Sequence, residues 1–153
     1  MAVDLNLLEQ LEMFEGLEHG DLEMLKALFN SIRVREGELL TRRGDPAQNF
    51  YIILSGNFMI SFKDGKAFTL HEKGDVIGMS TMLEPFDYRG TTLALTDGEV
   101  LMAAGDKFNE LLRGNARLSE TIMRRLNDVI AQRRPFFNDE GASSDADSIA
   151  PEV

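Results

Sequence analysis

The punctuation of the central part of this sequence constrains its fold more than any other feature. Gly44-Asp45, Asp64-Gly65, Gly74-Asp75 and Asp97-Gly98 cut the run from Ile32 to Ala104 into short segments. Between the cuts lie Arg33-Val34-Arg35, Leu39-Leu40, Phe50 to Leu54, Asn57 to Phe62, Ala67 to Leu70, Thr91 to Thr96 and Glu99 to Ala103. Phe58, Ile60 and Phe62 alternate with less apolar residues, the period of a half-buried strand. The unbroken apolar run Phe50-Tyr51-Ile52-Ile53-Leu54 reads as a strand buried on both faces. Asp64-Gly65 is a two-residue hairpin signal, because a tight primed turn needs residues that tolerate positive φ. Asp97-Gly98 predicts a second hairpin, joining Thr91–Thr96 to Glu99–Ala103. Many short strands separated by such turns describe a mainly β domain with an antiparallel, jelly-roll-like β-roll.

Helical spacing flanks the roll. Leu5, Leu8, Leu11 and Met13 or Phe14 share a face, Gly16 interrupts, and Asp21 is a candidate N-cap for Leu22, Leu25, Leu28 and Phe29. Beyond the roll, Asp106 can cap a helix through Leu112, and Gly114-Asn115 breaks and restarts it. Arg117 to Arg134 carries the stripe Leu118, Ile122, Leu126, Val129 and Ile130, punctuated by Arg117, Arg124, Arg125, Arg133 and Arg134, and Pro135 should end it. That stripe can lie against the roll, or serve as a lid or the seam of a homodimer. The organisation expected is one domain over residues 1–134, with helices at 4–30, a roll at 32–104 and helices at 106–134. From Asn138 the sequence is polar and acidic, predicting a disordered tail at 138–153.

Charge and composition narrow the function classes. The net charge of −10 opposes nucleic-acid binding, which needs a basic face. Part of the excess is in the tail, where Asp139, Glu140, Asp145, Asp147 and Glu152 meet no base. No apolar run approaches the ~20 residues that span a bilayer, and the N-terminal MAVDLNLLEQLEMF lacks a basic signal-peptide region. With no cysteine, disulfides and thiolate chemistry are excluded and a cytoplasmic location is expected. Only His19 and His71 could contribute imidazole to a metal, no Gly-x-Ser-x-Gly elbow occurs, and no enzyme is predicted.

Gly74 to Thr96 is the stretch built for a ligand. After Val76-Ile77, Gly78 lets backbone approach closely, and the turn through Met79, Ser80 and Thr81 aims amide N–H groups outward. Arg89, heading the strand that starts near Thr91, adds the paired donors that suit a phosphate. The stretch resembles the phosphate-binding cassette of the cyclic-nucleotide-binding domain family, to which the catabolite activator protein, kinase regulatory subunits and gated channels belong. The family's Phe-Gly-Glu, helical turn and Arg-(Ser/Thr)-Ala read here as Ile77-Gly78-Met79, the turn from Ser80, and Arg89-Gly90-Thr91-Thr92.

Further matches are Gly37-Glu38-Leu39-Leu40, Gly44-Asp45, Tyr51-Ile52-Ile53 with Gly56, and Asp106-Lys107-Phe108 with Leu111-Leu112, so the resemblance runs over about residues 10 to 134. It implies a non-catalytic sensor of cAMP, cGMP or a similar phosphate-bearing ligand. The ligand would be held at Gly78, Met79, Ser80, Thr81, Arg89, Gly90 and Thr91, and the signal passed through the C-terminal helix.

Two positions depart from the pattern. Met79 replaces the glutamate that takes the ribose 2′-hydroxyl, and Gly90 replaces a hydroxyl residue. Losing a hydrogen bond to a charged group costs about 1.5–3 kcal/mol, so the usual ligand should bind more weakly unless Glu84 or Asp87 stands in. The alternative is a degenerate domain used for protein interaction or oligomerisation. Transcription factors of the family append a winged helix-turn-helix, for which the 19 residues after Arg134 (153 minus 134) leave no room.

Overall fold

A computed structural model describes residues 3–82 and 86–137. Three short N-terminal elements, α1 (Leu5–Gln10), a 3-10 turn (Glu12–Phe14) and α2 (His19–Leu28), lead into eight strands. These are β1 (Asn30–Val34), β2 (Leu39–Thr41), β3 (Asn49–Ser55), β4 (Phe58–Ser61), β5 (Ala67–Leu70), β6 (Val76–Ile77), β7 (Thr91–Ala94) and β8 (Gly98–Ala104). A second 3-10 turn (Met79–Met82) follows β6, and α3 (Gly105–Arg113) and α4 (Ala116–Phe137) close the chain. The strands form two antiparallel sheets, ordered β1-β8-β3-β6 and β2-β7-β4-β5. The expected β-roll with flanking helices is the fold observed.

The first sheet is a middle layer, and β3 shows why its sequence is apolar throughout. Successive side chains point to opposite faces. Tyr51 and Ile53 enter the roll interior with Phe58, Ile60, Phe62 and Ile77, while Phe50 and Ile52 face a second core under the helices. That second core is knit by Phe14, Phe29, Phe50 and Phe108, whose ring centroids lie between 5.2 and 6.3 Å apart.

Asp64-Gly65 turns the predicted β4–β5 hairpin: the Gly65 amide donates to Phe62 O (2.9 Å) at φ +90°. Asp97-Gly98 does not make a hairpin. β7 belongs to the second sheet and β8 to the first, so this pair is a corner between sheets. The sharp turn is the same; what differs is the next strand's partner, which a dipeptide does not encode. The corner is tight, since a Cβ on Gly98 would stand 2.4 Å from Ser55 O. Asp97 Oδ1 also accepts from the Glu36 amide (2.8 Å), tying the corner to the β1–β2 turn.

Three helix boundaries move. Asp21 lies in the first turn of α2, with Glu18 at the cap position, and Asp106 lies in the first turn of α3, behind Ala104. Both carboxylates still complement the positive end of a helix dipole from inside the turn. Pro135 does not end α4, which runs on to Phe137. Tertiary contacts hold the last turn in line: the Phe136 ring sits 4.6 Å from that of Phe68, and Lys66 Nζ reaches Pro135 O at 3.5 Å. The predicted tail at 138–153 and Glu84 fall outside the described residues.

The α4 stripe faces this chain's own core: Leu118, Ile122, Leu126 and Ile130 are buried in the helix-side cluster and Val129 packs against it. Exposed positions along α4 are polar or small, among them Arg117, Glu120, Arg124, Asn127, Asp128 and Ala131. Arg125 fastens the middle of α4 to the N-terminal 3-10 turn. Its guanidinium donates to Met13 O (2.8 Å), Glu15 O (2.8 Å) and Glu12 O (3.3 Å). Charged hydrogen bonds of this kind are worth about 1.5–3 kcal/mol, so Arg125→Ala should lower the stability in urea melts by about that amount, taking this donor from Met13 O and Glu15 O while Glu12 O keeps the Glu15 amide.

Candidate functional site

Gly78 leaves β6 at φ +87°, a conformation that costs any other residue. A Cβ here would stand 2.6 Å from Asn49 O and 3.4 Å from the Tyr88 ring, so only hydrogen fits. Tyr88 locks the same point: its hydroxyl donates to Asn49 O (2.8 Å) and accepts from the Asn49 amide (3.0 Å). Burial raises the Tyr88 pKa, keeping it a donor at neutral pH. The cassette thereby sits at a fixed distance from the start of β3, and Arg89, the residue after Tyr88, is aimed by the same anchor.

Arg89 is half-buried and lines a cavity of about 20 Å3 with Gly78, Gly90, Thr92, Ile60 and Phe62. Burial lowers its pKa and the carboxylate of Asp87 opposes that, so Asp87 acts on Arg89 electrostatically. Gly78, Arg89 and Gly90 of the expected set therefore converge. Gly90 cannot carry the family's hydroxyl side chain in this packing, because a Cβ would approach Ile60 Cγ2 to 2.6 Å and the Phe62 ring to 3.0 Å. The volume beside the arginine is filled by these two side chains. What remains holds roughly one water, which needs about 10–15 Å3.

The other expected side chains go elsewhere. Met79 is fully buried, and its neighbours are the helix-side core, Phe50, Val76 and Phe108 among them. Its substitution for the family glutamate is a packing choice, with the side chain turned from the cavity. Thr81 packs against the start of α3, where a Cβ on Gly105 would meet its Cβ at 2.7 Å, and its carbonyl accepts from Asn109 Nδ2 (2.8 Å). The hydroxyls of Ser80 and Thr81 are buried and have no partner among the described residues. Thr91 Oγ1 accepts from the Arg43 amide (3.0 Å) and so holds the β2 turn. Thr92 instead faces inward: its amide donates to Thr41 Oγ1 (3.0 Å), and the two hydroxyls lie 2.8 Å apart. Among the described residues no group of His, Cys, Asp and Glu gathers in a metal-binding arrangement, and His19 and His71 are exposed beside Glu23 and Glu72.

Arg133 is the site residue that sequence reasoning missed. It comes from α4, is only 7% exposed, and lines the Arg89 cavity from the helix side. Its guanidinium carbon lies 5.6 Å from the Phe68 ring centre. Desolvation pushes its pKa down to about 10, partly offset by the field of Asp75, so it remains charged at neutral pH. The signal was present in the spacing: 126, 130 and 133 continue the apolar stripe, putting an arginine on the buried face of the helix.

Because a buried guanidinium that meets, among the described residues, an aromatic face and the field of Asp75 but no hydrogen-bond acceptor is costly, Arg133→Met should be stabilising. Replacing buried charges by apolar groups gains about 1–4 kcal/mol, against the loss of a cation–π contact worth about 1 kcal/mol. A higher melting temperature is expected; a lower one would mean that the charge has a strong partner.

A family profile described as the cyclic nucleotide-binding domain matches residues 31–115, more than half of the chain. Over 128 residues, 84% of the chain, the sequence is 26% identical to an uncharacterised NTE family protein of Mycobacterium tuberculosis strain H37Rv, of which it covers 22%. Among solved structures it is similar to cAMP-bound PfPKA-R, with TM-score 0.73, 21% identity and coverage of 90% of this chain and 46% of that one. It is similar as well to a regulatory subunit of a cAMP-independent protein kinase A from Trypanosoma brucei, with TM-score 0.70, 21% identity and coverage of 92% and 48%. At that identity these likenesses speak to the fold, which serves both a cAMP-bound protein and one described as cAMP-independent. With the profile match, the two-sheet roll and the convergence of Gly78 with Arg89, the chain belongs to the cyclic nucleotide-binding domain family, a family of regulatory modules.

Proposed function

We propose that this domain is a non-catalytic sensor of a small phosphate-bearing ligand, cAMP and cGMP being the first candidates, which signals by releasing the end of α4. The observation that carries the reading is that Gly78, Arg89 and Arg133 line one cavity of about 20 Å3. Pockets for small ligands run to about 300–1,000 Å3. A nucleotide phosphate at Arg89 and the amides after Gly78 therefore needs space that Phe62, Ile60 and Arg133 now fill. Arg133 is the movable member, because it rides on the last turns of α4, which are fastened near it through Phe136 and Lys66.

Ligand and helix end compete for one volume, and that competition is the coupling: a ligand shifts the helix by its differential affinity for the two arrangements. The opened α4 end would then meet another protein or a second copy of the chain. A cytoplasmic setting is part of this proposal.

The same small cavity, with Met79 turned into the core, also favours a second reading: a domain that has lost its nucleotide and serves as an interaction module. Calorimetric titration with cAMP, cGMP and cyclic dinucleotides separates the two. The sensor reading expects saturable heat from at least one, with the affinity reduced about tenfold or more in Arg89→Ala, as a lost charged hydrogen bond implies. No heat from any of them would leave the interaction module.

A further inference from the structure

One opening among the described residues lies beside α4 and shares only Arg133 with the cassette cavity. It is a cleft of about 530 Å3 between α4, β5, the turn before β6 and the N-terminal 3-10 turn. That volume is in the range of small-molecule sites. Its inner wall is apolar, with Phe68, Leu70, Val76 and Val129. Set in that wall is Arg133, 7% exposed, which among the described residues meets the ring of Phe68 and feels the field of Asp75. Among the described residues it has no hydrogen bond or ion pair, so its donors are unspent at the inner end of the cleft.

The rim has the opposite sign. Glu12, Glu15 and Asp128 stand exposed around the mouth, with Asp75 half-buried below them. Arg125 is the one other cation of the lining, and its donors go to the carbonyls of Glu12, Met13 and Glu15. Four carboxylates against two guanidiniums make the mouth repel a simple anion, while the inner guanidinium rejects a simple cation.

We propose that this cleft is a second ligand site, for a zwitterionic amphiphile. Its carboxylate would meet Arg133, its apolar middle would lie on Phe68, Leu70 and Val129, and its ammonium would face Glu12, Glu15 and Asp128. Planar oxyanions suit guanidinium donors, and an ammonium among rim carboxylates keeps its water and its attraction together. The proposal does not depend on a nucleotide reaching Arg89.

The probe is 8-aminooctanoate, titrated into the intact protein beside octanoate and octylamine, each lacking one charge. 8-Aminooctanoate should bind saturably and about tenfold or more tighter than either, the ratio that one charged contact supplies. Arg133→Met, expected to fold at least as well as the parent, should erase its advantage over octylamine. Glu12→Gln with Asp128→Asn should instead erase its advantage over octanoate. Protein NMR should place the shifts at Phe68 and Val129, whereas cAMP and cGMP titrations read the cassette separately. Equal binding of all three probes, no saturation by 8-aminooctanoate at millimolar concentration, or an advantage unchanged by Arg133→Met would overturn the site.

Discussion

Met79→Glu restores the family residue on paper and should strongly destabilise the protein in practice. The Met79 side chain is fully buried in the apolar cluster that holds Phe50, Val76 and Phe108, a setting that strips a carboxylate of its water. An uncompensated buried charge costs about 3–5 kcal/mol, a large share of the roughly 5–15 kcal/mol that a domain of this size holds. The pH dependence has a definite sign. Burial would raise the pKa of the new glutamate above its unfolded value of about 4.3. The unfolded state then releases the proton more readily, so the variant is least impaired below about pH 4.3 and loses stability as pH rises through its folded value. Urea melts of Met79→Glu and Met79→Gln at pH 5 and pH 7 should show a gap between them that widens at pH 7. A stable Met79→Glu that bound cAMP or cGMP more tightly would place the side chain at the ligand instead of in the core.

Gly78→Ala should be nearly as damaging, for a reason of backbone alone. The residue sits at φ +87°, and an added methyl would press to 2.6 Å from Asn49 O, which belongs to a central strand and accepts the Tyr88 hydroxyl. Left-handed backbone costs a non-glycine residue about 1–2 kcal/mol and forced overpacking about 1–3 kcal/mol, so roughly 2–5 kcal/mol should be lost together. Gly37→Ala is the control, at φ +90° but with nothing within 4 Å of its Cβ, and should show only the smaller conformational part. If the two substitutions cost the same, the close approach to β3 contributes nothing. Because the contact also positions Tyr88, the Gly78 variant should weaken anion binding at Arg89 beyond its effect on stability.

The sequence made the roll legible because short-range chemistry decides it. Alternation at Phe58, Ile60 and Phe62, the unbroken run of β3 and the Asp64-Gly65 turn each depend on neighbours along the chain. The features that escaped depend on neighbours across space. Asp97-Gly98 turns as expected, but which sheet receives β8 is set by pairing with β1 and β3. Pro135 would break an isolated helix, yet contacts of Phe136 and Lys66 carry α4 past it.

At the site, motif spacing was enough to bring Gly78, Arg89 and Gly90 to one cavity. It was not enough to show that Met79 and Thr81 face the other core, because a short 3-10 turn gives successive side chains widely different directions. Arg133 was hidden differently: the stripe of α4 was read from its apolar members, and the arginine continuing it looked like one more surface charge.

The central claim is that a ligand at Arg89 and the end of α4 compete for one space, and a reversible staple tests it most directly. Phe68→Cys with Phe136→Cys puts one thiol on β5 and one on the end of α4, at positions whose ring centres now lie 4.6 Å apart, and a bis-methanethiosulfonate linker disulfide-bonded to both spans the gap the rings leave, in a protein with no other cysteine. Linked, the staple pins the end of α4 on β5; reduced, it frees it. Titration with cAMP and cGMP should give saturable heat in the reduced protein and little or none in the linked one, with binding restored by dithiothreitol. Equal binding in both states, or none in either, would contradict the account.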